Sequence, residues 1–305
     1  MELSQLEVFL AVAREHRFSR AADKLFRTQS AVSQTIRKLE DELGEALFDR
    51  SSREGVLTDA GKVLYEYAEK LINLRGEASE SLSELRELQK GKLVIAANEF
   101  TVLYLLPVLA EFRRLHPMIK IKVERALGSH IPDDVLRYKV EFGVLSYEPQ
   151  EPNLHSLVIF HDELVFVVPP KHPLASATEI SIRQLGAESF VAHIVPSPYR
   201  EKVIQVFKSH KTPLHMDLEL PTLQAIKQFV AMGNGVAFLP EISVETEALR
   251  GELVRIPVRE LQLKRKLRLI YRKNANLSHA AQAFLKVVEA VALERKGRYR
   301  FQRES

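Results

Sequence analysis

The 305-residue sequence contains no cysteine. That excludes a disulfide scaffold, a thiolate metal site and a cysteine-based redox sensor. Nor is there a long uncharged apolar run, so no membrane span is predicted. The opening MELSQLEVF lacks the basic stretch and apolar core of a signal sequence, and a cytoplasmic location is expected. The common catalytic signatures are missing too. There is no G-x-x-x-x-G-K-S/T phosphate loop, no G-x-S-x-G elbow, no H-E-x-x-H and no G-x-G-x-x-G after a strand. Gly233-Asn234-Gly235 is G-x-G only and ends a predicted helix. His155 and His161 are too far apart for a helix-face metal pair. The sequence therefore predicts neither an enzyme nor a bound metal or cofactor. Net charge is only +4, too small to argue for nucleic acid by itself.

What is present is locally organised. Apolar residues make up 46% and charged residues 28% of a chain long enough for about two or three compact units. Leu3, Leu6, Phe9, Leu10 and Ala13 mark a first helix. The stretch Phe18–Leu43 then reads as two helices joined by a tight break. Ser19 can cap a short helix carrying Ala21, Ala22 and Leu25 inward, and Phe26-Arg27 interrupts the pattern. Thr28 caps a longer helix whose apolar face is Ala31, Val32, Ile36, Leu39 and Leu43. Two helices so joined must cross steeply, as in a helix-turn-helix. The opposite face of the second carries Gln29, Ser30, Ser33, Gln34 and Arg37. Short hydroxyls and amides suit base edges, whereas cations such as Arg20 and Arg37 suit phosphates, with Thr28 beside them. Arg14, Arg17, Arg20, Lys24, Arg27, Arg37 and Lys38 stand against only Glu15 and Asp23 over that span, a local positive patch between acidic flanks. An ordinary amphipathic hairpin with solvated charges is the plainer alternative.

After Gly44, the apolar residues Leu47, Phe48, Val56 and Leu57 bracket a polar loop, Asp49 to Gly55, which reads as a short hairpin. The stretch ALFDRSSREGVLTDAG resembles the wing and hinge of the LysR-type transcriptional regulators, and FSRAADKLFRTQSAVSQTIRKLEDELG resembles that family's winged helix-turn-helix nearly position by position. Ala46 departs from the proline usual in the family. The resemblance implies a wing in which Arg53 reaches the minor groove and Arg50 a phosphate. Simple pairing of Arg50 with Asp49 is the competing reading.

Thr58 caps a helix expected to run to about Gln89. Leu64, Tyr67, Leu71, Leu74, Ala78, Ser81, Leu85 and Leu88 recur with spacings alternating three and four, and all but Ser81 are apolar. A single helix cannot hide such a stripe, so it is predicted to dimerise and set two recognition helices at a fixed separation.

From Lys92 the pattern becomes strand–helix–strand–helix–strand: Leu93–Ala97, Tyr104–Leu115, Ile119–Arg125, Pro132–Lys139 and Phe142–Leu145. This predicts a parallel sheet covered on both faces. A second unit begins near Leu164 with LVFVV, followed by SFVAHI, a helix from Pro198, MDLEL, a helix from Leu223 and VAFLP. A strand at Leu267–Tyr271 and a helix at Ser278–Ala292 follow. The resemblance implies that these last elements return to the first lobe, so the chain crosses twice, near Glu163 and Lys264.

The expected fold class is thus α/β with an all-α-rich N-terminal winged helix-turn-helix, a long linker helix and a two-lobed periplasmic-binding-protein-like regulatory domain. The expected divisions are 1–58 for DNA binding, 59–90 for the linker, 91–163 with 265–295 for the first lobe, 164–264 for the second, and a mobile basic tail at 296–305. Strand ends and helix starts are where α/β sheets take ligands. Asn98, Glu99, Phe100 and Thr101, then Ser129, then Ser146 and Tyr147, then His193, Ser197 and Thr222 occupy such places. Thr101, Ser197 and Thr222 could equally be plain caps. The resemblance puts a small-molecule effector among them, between the lobes. Glu99 would repel a bare anion there and favour an effector with an amino or hydroxyl donor. The resemblance further implies double-stranded promoter DNA as partner, RNA polymerase if the protein activates, a homodimer through the linker helix and a homotetramer beyond it. A cytosolic two-lobed solute-binding or enzyme-like protein is the alternative reading.

Overall fold

The computed structural model describes residues 1–49, 55–86, 91–273, 276–295 and 297–303. Within it the chain forms two compact units, Met1–Gly91 with Arg137–Lys139, and Lys92–Leu136 with Val140–Ser305.

The first unit contains α1 (Leu3–Glu15), α2 (Phe18–Lys24), α3 (Gln29–Leu43) and α4 (Asp59–Arg86). Leu6, Phe9, Val32, Ile36, Leu39, Leu47 and Phe48 form its core, with the Phe9 and Phe18 rings each 5.4 Å from Phe48. Buried Glu40 ties α3 to the segment after it, because its carboxylate accepts the N–H groups of Leu47 at 2.7 Å and Phe48 at 3.3 Å. Phe48 and Leu57 then pair antiparallel at the base of the expected hairpin. The loop with Arg50 and Arg53 lies outside the described residues, as do 87–90 of the expected linker helix. Thr58 caps α4 by accepting the Gly61 N–H at 3.0 Å. Gly61 is needed there: a Cβ would lie 2.1 Å from the Leu47 carbonyl oxygen.

Two helix ends differ from expectation. Ser19 sits inside α2 and does not cap it; the cap position is Arg17, because burying Phe18 against Phe48 starts the helix earlier. Leu43 is exposed, since α3 ends there at left-handed Gly44. Along α4, Tyr67, Leu71, Leu74 and Ala78 are exposed, whereas Leu64 and Ile72 pack on the core. Ser81, Leu85 and Leu88 have no described side-chain surroundings.

The second unit holds two lobes. The first has β1 (Lys92–Ala97), β2 (Lys120–Arg125) and β3 (Phe142–Leu145), with β1 parallel to both β2 and β3, and α5 (Val102–Leu115) and α6 (Ile131–Leu136) between them. The 15-residue β4 (Leu154–Val168) leaves this lobe, and β9 (Leu263–Arg272) returns to it, antiparallel to β3. The second lobe contains β5 (Ser189–His193), α7 (Pro198–Ser209), β6 (His215–Leu220), α8 (Leu223–Ala231), β7 (Ala237–Pro240), α9 (Glu241–Leu249) and β8 (Val254–Ile256). β5 and β6 run parallel, and β7 and β8 pair with the distal half of β4. Tyr104, Phe112, Phe142 and Phe284 anchor the first core; Phe166, Phe190 and Phe207 anchor one core of the second lobe. Gly235, at φ 149°, lies where a Cβ would come 2.8 Å from the Ser189 carbonyl oxygen.

The two crossings pass Glu163 and Lys264 as expected, but as paired strands and not as breaks between units. β4 and β9 pair from Leu154↔Arg272 to Leu164↔Leu263, with one register shift between Val158 and Phe160, so Glu163 faces Lys264 within a single strand ladder. Leu164 is mid-strand and starts no new element. Alternation along β4 is masked because it serves both lobes, which is why residues before Leu164 carry no strand signal. α9 and β8 likewise lack a clear signature in the sequence. The final helix, α10 (His279–Arg295), packs on the first lobe through Phe284 and Val288. Residues 297–303 of the expected mobile tail are built into the second unit instead. β10 (Tyr299–Arg303) pairs antiparallel with β4, and Arg298 pairs with Glu241 and Glu245 of α9 at 2.5 and 2.8 Å. Its apolar residues, Tyr299 and Phe301, are too few to show a period, yet they pack on the first core.

Candidate functional sites

In the first unit the helix-turn-helix is built as its residues require. α2 ends at Lys24, Phe26 turns the chain in the left-handed region at φ 53°, and Thr28 starts α3 by accepting the Ala31 N–H at 3.3 Å. Burial of Val32, Ile36 and Leu39 forces the other face of α3 outward. Gln29, Ser30, Gln34 and Arg37 are exposed there, Ser33 is half-buried, and Arg20 is exposed on α2. Thr28 and Ser30 share a hydroxyl contact at 3.0 Å. Of the local cations, Arg14 bonds Glu69 at 3.0 Å and Lys24 bonds Glu15 at 2.5 Å. The Lys24 ammonium holds the Glu15 carboxyl below its ordinary range. Arg20, Arg27, Arg37 and Lys38 stay exposed. The result is a polar, hydrogen-bonding helix face flanked by cations.

In the second unit a cavity of about 540 Å³ lies between the lobes. Asn98, Phe100, Ser129, Ser146, Tyr147, His193 and Ser197 line it, as the strand ends predict. Asn98 turns its Oδ1 onto the N–H groups of Phe100 and Thr101 at 3.0 and 2.9 Å. Ser197 caps α7 through the Arg200 N–H at 3.1 Å. Tyr147 donates its hydroxyl to the Gly128 carbonyl at 2.9 Å.

Three predicted residues do not line the cavity. Thr101 is fully buried, and its hydroxyl accepts the Asn98 N–H at 3.0 Å. Thr222 is a cap, accepting the Ala225 N–H at 3.1 Å. Glu99 is engaged elsewhere: its carboxylate accepts the Leu223 N–H at 2.7 Å, on the first turn of α8, and lies 3.4 Å from His193 Nε2. The Phe100 ring meets His193 edge-on at 4.8 Å. Glu99 thus joins the lobes beside the cavity instead of facing a ligand, and the expected preference for an amine-bearing effector loses its basis.

Several lining residues are not legible in the sequence, chiefly Tyr199, Arg200 and Arg265. Tyr199 donates to the Ser146 carbonyl at 2.9 Å, another link between the lobes. Arg265 is buried, faces Asp162 across the β4–β9 ribbon and reaches it at 3.4 Å. Tyr104 also donates its hydroxyl to Asp162. Burial pushes the Asp162 carboxyl above its ordinary range, against the pull of Tyr104 and Arg265. The sequence signal is weak: KRKLR on β9 looks like solvated strand charge until its partner strand is known.

These parts define a two-module protein, a helix-turn-helix unit joined in sequence to a two-lobed ligand-binding unit. Residues 3–62 match the bacterial regulatory helix-turn-helix protein, lysR family, and residues 86–292 match the LysR substrate binding domain. A probable RuBisCO transcriptional regulator of Synechocystis sp. is 32% identical over 293 residues, covering 94% of this chain and 85% of the relative. The Synechocystis CcmR regulatory domain in complex with 2-PG is 27% identical, with TM-score 0.60, over 67% of this chain and 97% of that one. Full-length CbnR in complex with its target DNA shares the fold, with TM-score 0.71 at 20% identity over 95% of this chain and 99% of that one. The chain belongs to the LysR family of bacterial transcriptional regulators and is a DNA-binding regulator.

Proposed function

We propose that α3 enters the major groove of promoter DNA, with Gln29, Ser30, Ser33 and Gln34 reading bases and Arg20, Thr28 and Arg37 holding the backbone. The exposed polar face of α3, opposite the face that buries Val32, Ile36 and Leu39, is the observation that carries this reading. A small effector occupies the cavity between the lobes and shifts their angle by its differential affinity for the two arrangements. The exposed stripe of α4 supports a homodimer, and regulatory units pair dimers into a homotetramer. The protein acts in the cytoplasm, carries out no catalysis and needs no cofactor, and meets RNA polymerase if it activates. Because the Synechocystis relative is named for RuBisCO regulation, a RuBisCO operon is the first target to test. The test is binding to promoter-length duplexes across a salt series. Steep weakening with salt plus preference for one sequence supports the reading; equal affinity for all duplexes refutes it.

A further inference from the structure

Two backbone hydrogen bonds at the end of α2 fix the conformation of Phe26. The Arg27 N–H donates to the Ala22 carbonyl at 2.9 Å, and the Phe26 N–H to the Asp23 carbonyl at 3.2 Å. A helix end closed in this way puts the residue after its cap in the left-handed region, and Phe26 stands there at φ 53°. Glycine or asparagine fills such a place at least cost, because a larger side chain crowds the neighbouring backbone. Phenylalanine carries that cost and recovers nothing by burial, for Phe26 is 97% exposed. Of the 15 phenylalanines it alone is exposed; the others are buried or half-buried. An exposed apolar residue is ordinary by itself. One that also burdens its own backbone is not explained by the folded chain, and a partner outside the chain must repay it.

Position identifies that partner. Thr28, Gln29 and Ser30, which open α3, are exposed directly after Phe26, and Arg27 beside it is an exposed cation. A duplex seated on the start of α3 reaches the ring as well. On DNA an apolar ring can cover the C–H face of a deoxyribose or the methyl of a thymine. Phe26 precedes the backbone-holding Thr28 and lies further still from the base-reading Gln29, which favours the sugar. We propose that Phe26 lays its ring on a deoxyribose of the bound duplex, an uncharged anchor that fixes α3 in the groove whatever the bases are. The proposal rests on the reading of α3 as the recognition helix.

The test uses the full chain with Phe26→Asn and Phe26→Leu. Three duplexes serve as probes: the promoter duplex bound most tightly in the salt series, the same duplex with uracil for every thymine, and a scrambled duplex of equal composition. Phe26→Asn should bind all three about tenfold more weakly, the lower end of what burying a phenylalanine side chain is worth. Its salt slope should match the wild type, because no counterion is released at a sugar contact. Its melting temperature should be no lower, since asparagine suits the left-handed position. Phe26→Leu, which keeps apolar surface, should recover most of the affinity. If Phe26→Asn does not fold, Phe26→Gly repeats the comparison. A loss that disappears on the uracil duplex moves the ring to a thymine methyl and overturns the sugar contact. Unchanged affinity on all three duplexes overturns any DNA contact, and a changed sedimentation coefficient with it assigns the ring to a second copy of the chain. Wild-type preference for the promoter duplex over the scrambled one judges the recognition-helix reading separately.

Discussion

The Glu99 carboxylate, on the loop after β1, accepts the backbone N–H of Leu223 at 2.7 Å, at the start of a helix in the other lobe. A helix N-terminus carries unpaired N–H groups and partial positive charge, so a carboxylate from the opposite lobe is held there by both. With Tyr199 bonded to the Ser146 carbonyl, it forms a second direct link across the cleft.

Glu99→Ala should therefore loosen the lobes. The expected cost is about 1–2 kcal/mol, that of losing a capping acceptor. The Leu223 amide should exchange faster in hydrogen-exchange mass spectrometry, while Glu99→Gln, which keeps an acceptor, should fall between. Unchanged exchange in Glu99→Ala would show that the contact does not hold the lobes.

On DNA, Ser33→Ala should cost about 1–3 kcal/mol against the matched site and little against a scrambled one. Arg37→Ala should weaken both alike and flatten the salt slope by about one unit. Equal losses on both sequences for both variants would reject the division between base reading and backbone holding.

Leu71 and Leu74 are 39% and 44% exposed on α4. Their joint replacement by Asp would put charge into any apolar seam formed there, which is strongly unfavourable. Analytical ultracentrifugation should show the variant dissociated. Wild-type assembly with wild-type DNA affinity would place the interface elsewhere.

β10 covers an edge of β4, and Arg298 bonds α9. Truncation after residue 296 should lower the melting temperature and promote aggregation through the bared strand edge. Arg298→Ala should lower it less, because half-exposed ion pairs contribute little. A truncated chain as stable and soluble as the full one would deny the strand a structural role.

Glu260 accepts the Ser181 hydroxyl at 2.6 Å and the Ile182 N–H at 2.9 Å, which hold its carboxyl down at about 2. A depressed carboxyl adds stability above its unfolded value, about 4.3, and loses it as pH falls toward about 2. Comparing acid unfolding of wild type and Glu260→Gln should show the variant less sensitive in that window. Parallel curves would remove Glu260 from the acid response.

Much of this architecture is legible locally. Thr28, Thr58, Ser197 and Thr222 announce helix starts because capping is a contact within three residues. The amphipathic period of α3 exposes its polar face whatever else the chain does, and strand ends name Asn98, Ser129 and Tyr147 as cavity residues. Glu99 is legible as a residue near the cleft but not as a cap, because its helix lies 124 positions away.

The sequence by itself determined the helix pair of the first unit and most of the α/β elements with their capped ends, since each rests on periodicity and short-range caps. Tertiary structure alone decided the β4–β9 ribbon, the strand made by the tail and the Asp162–Arg265 pair. Those depend on which segments pair at long range. An arginine in KRKLR becomes a buried cavity cation only once its strand lies beside β4, because burial is a property of neighbours and not of the residue.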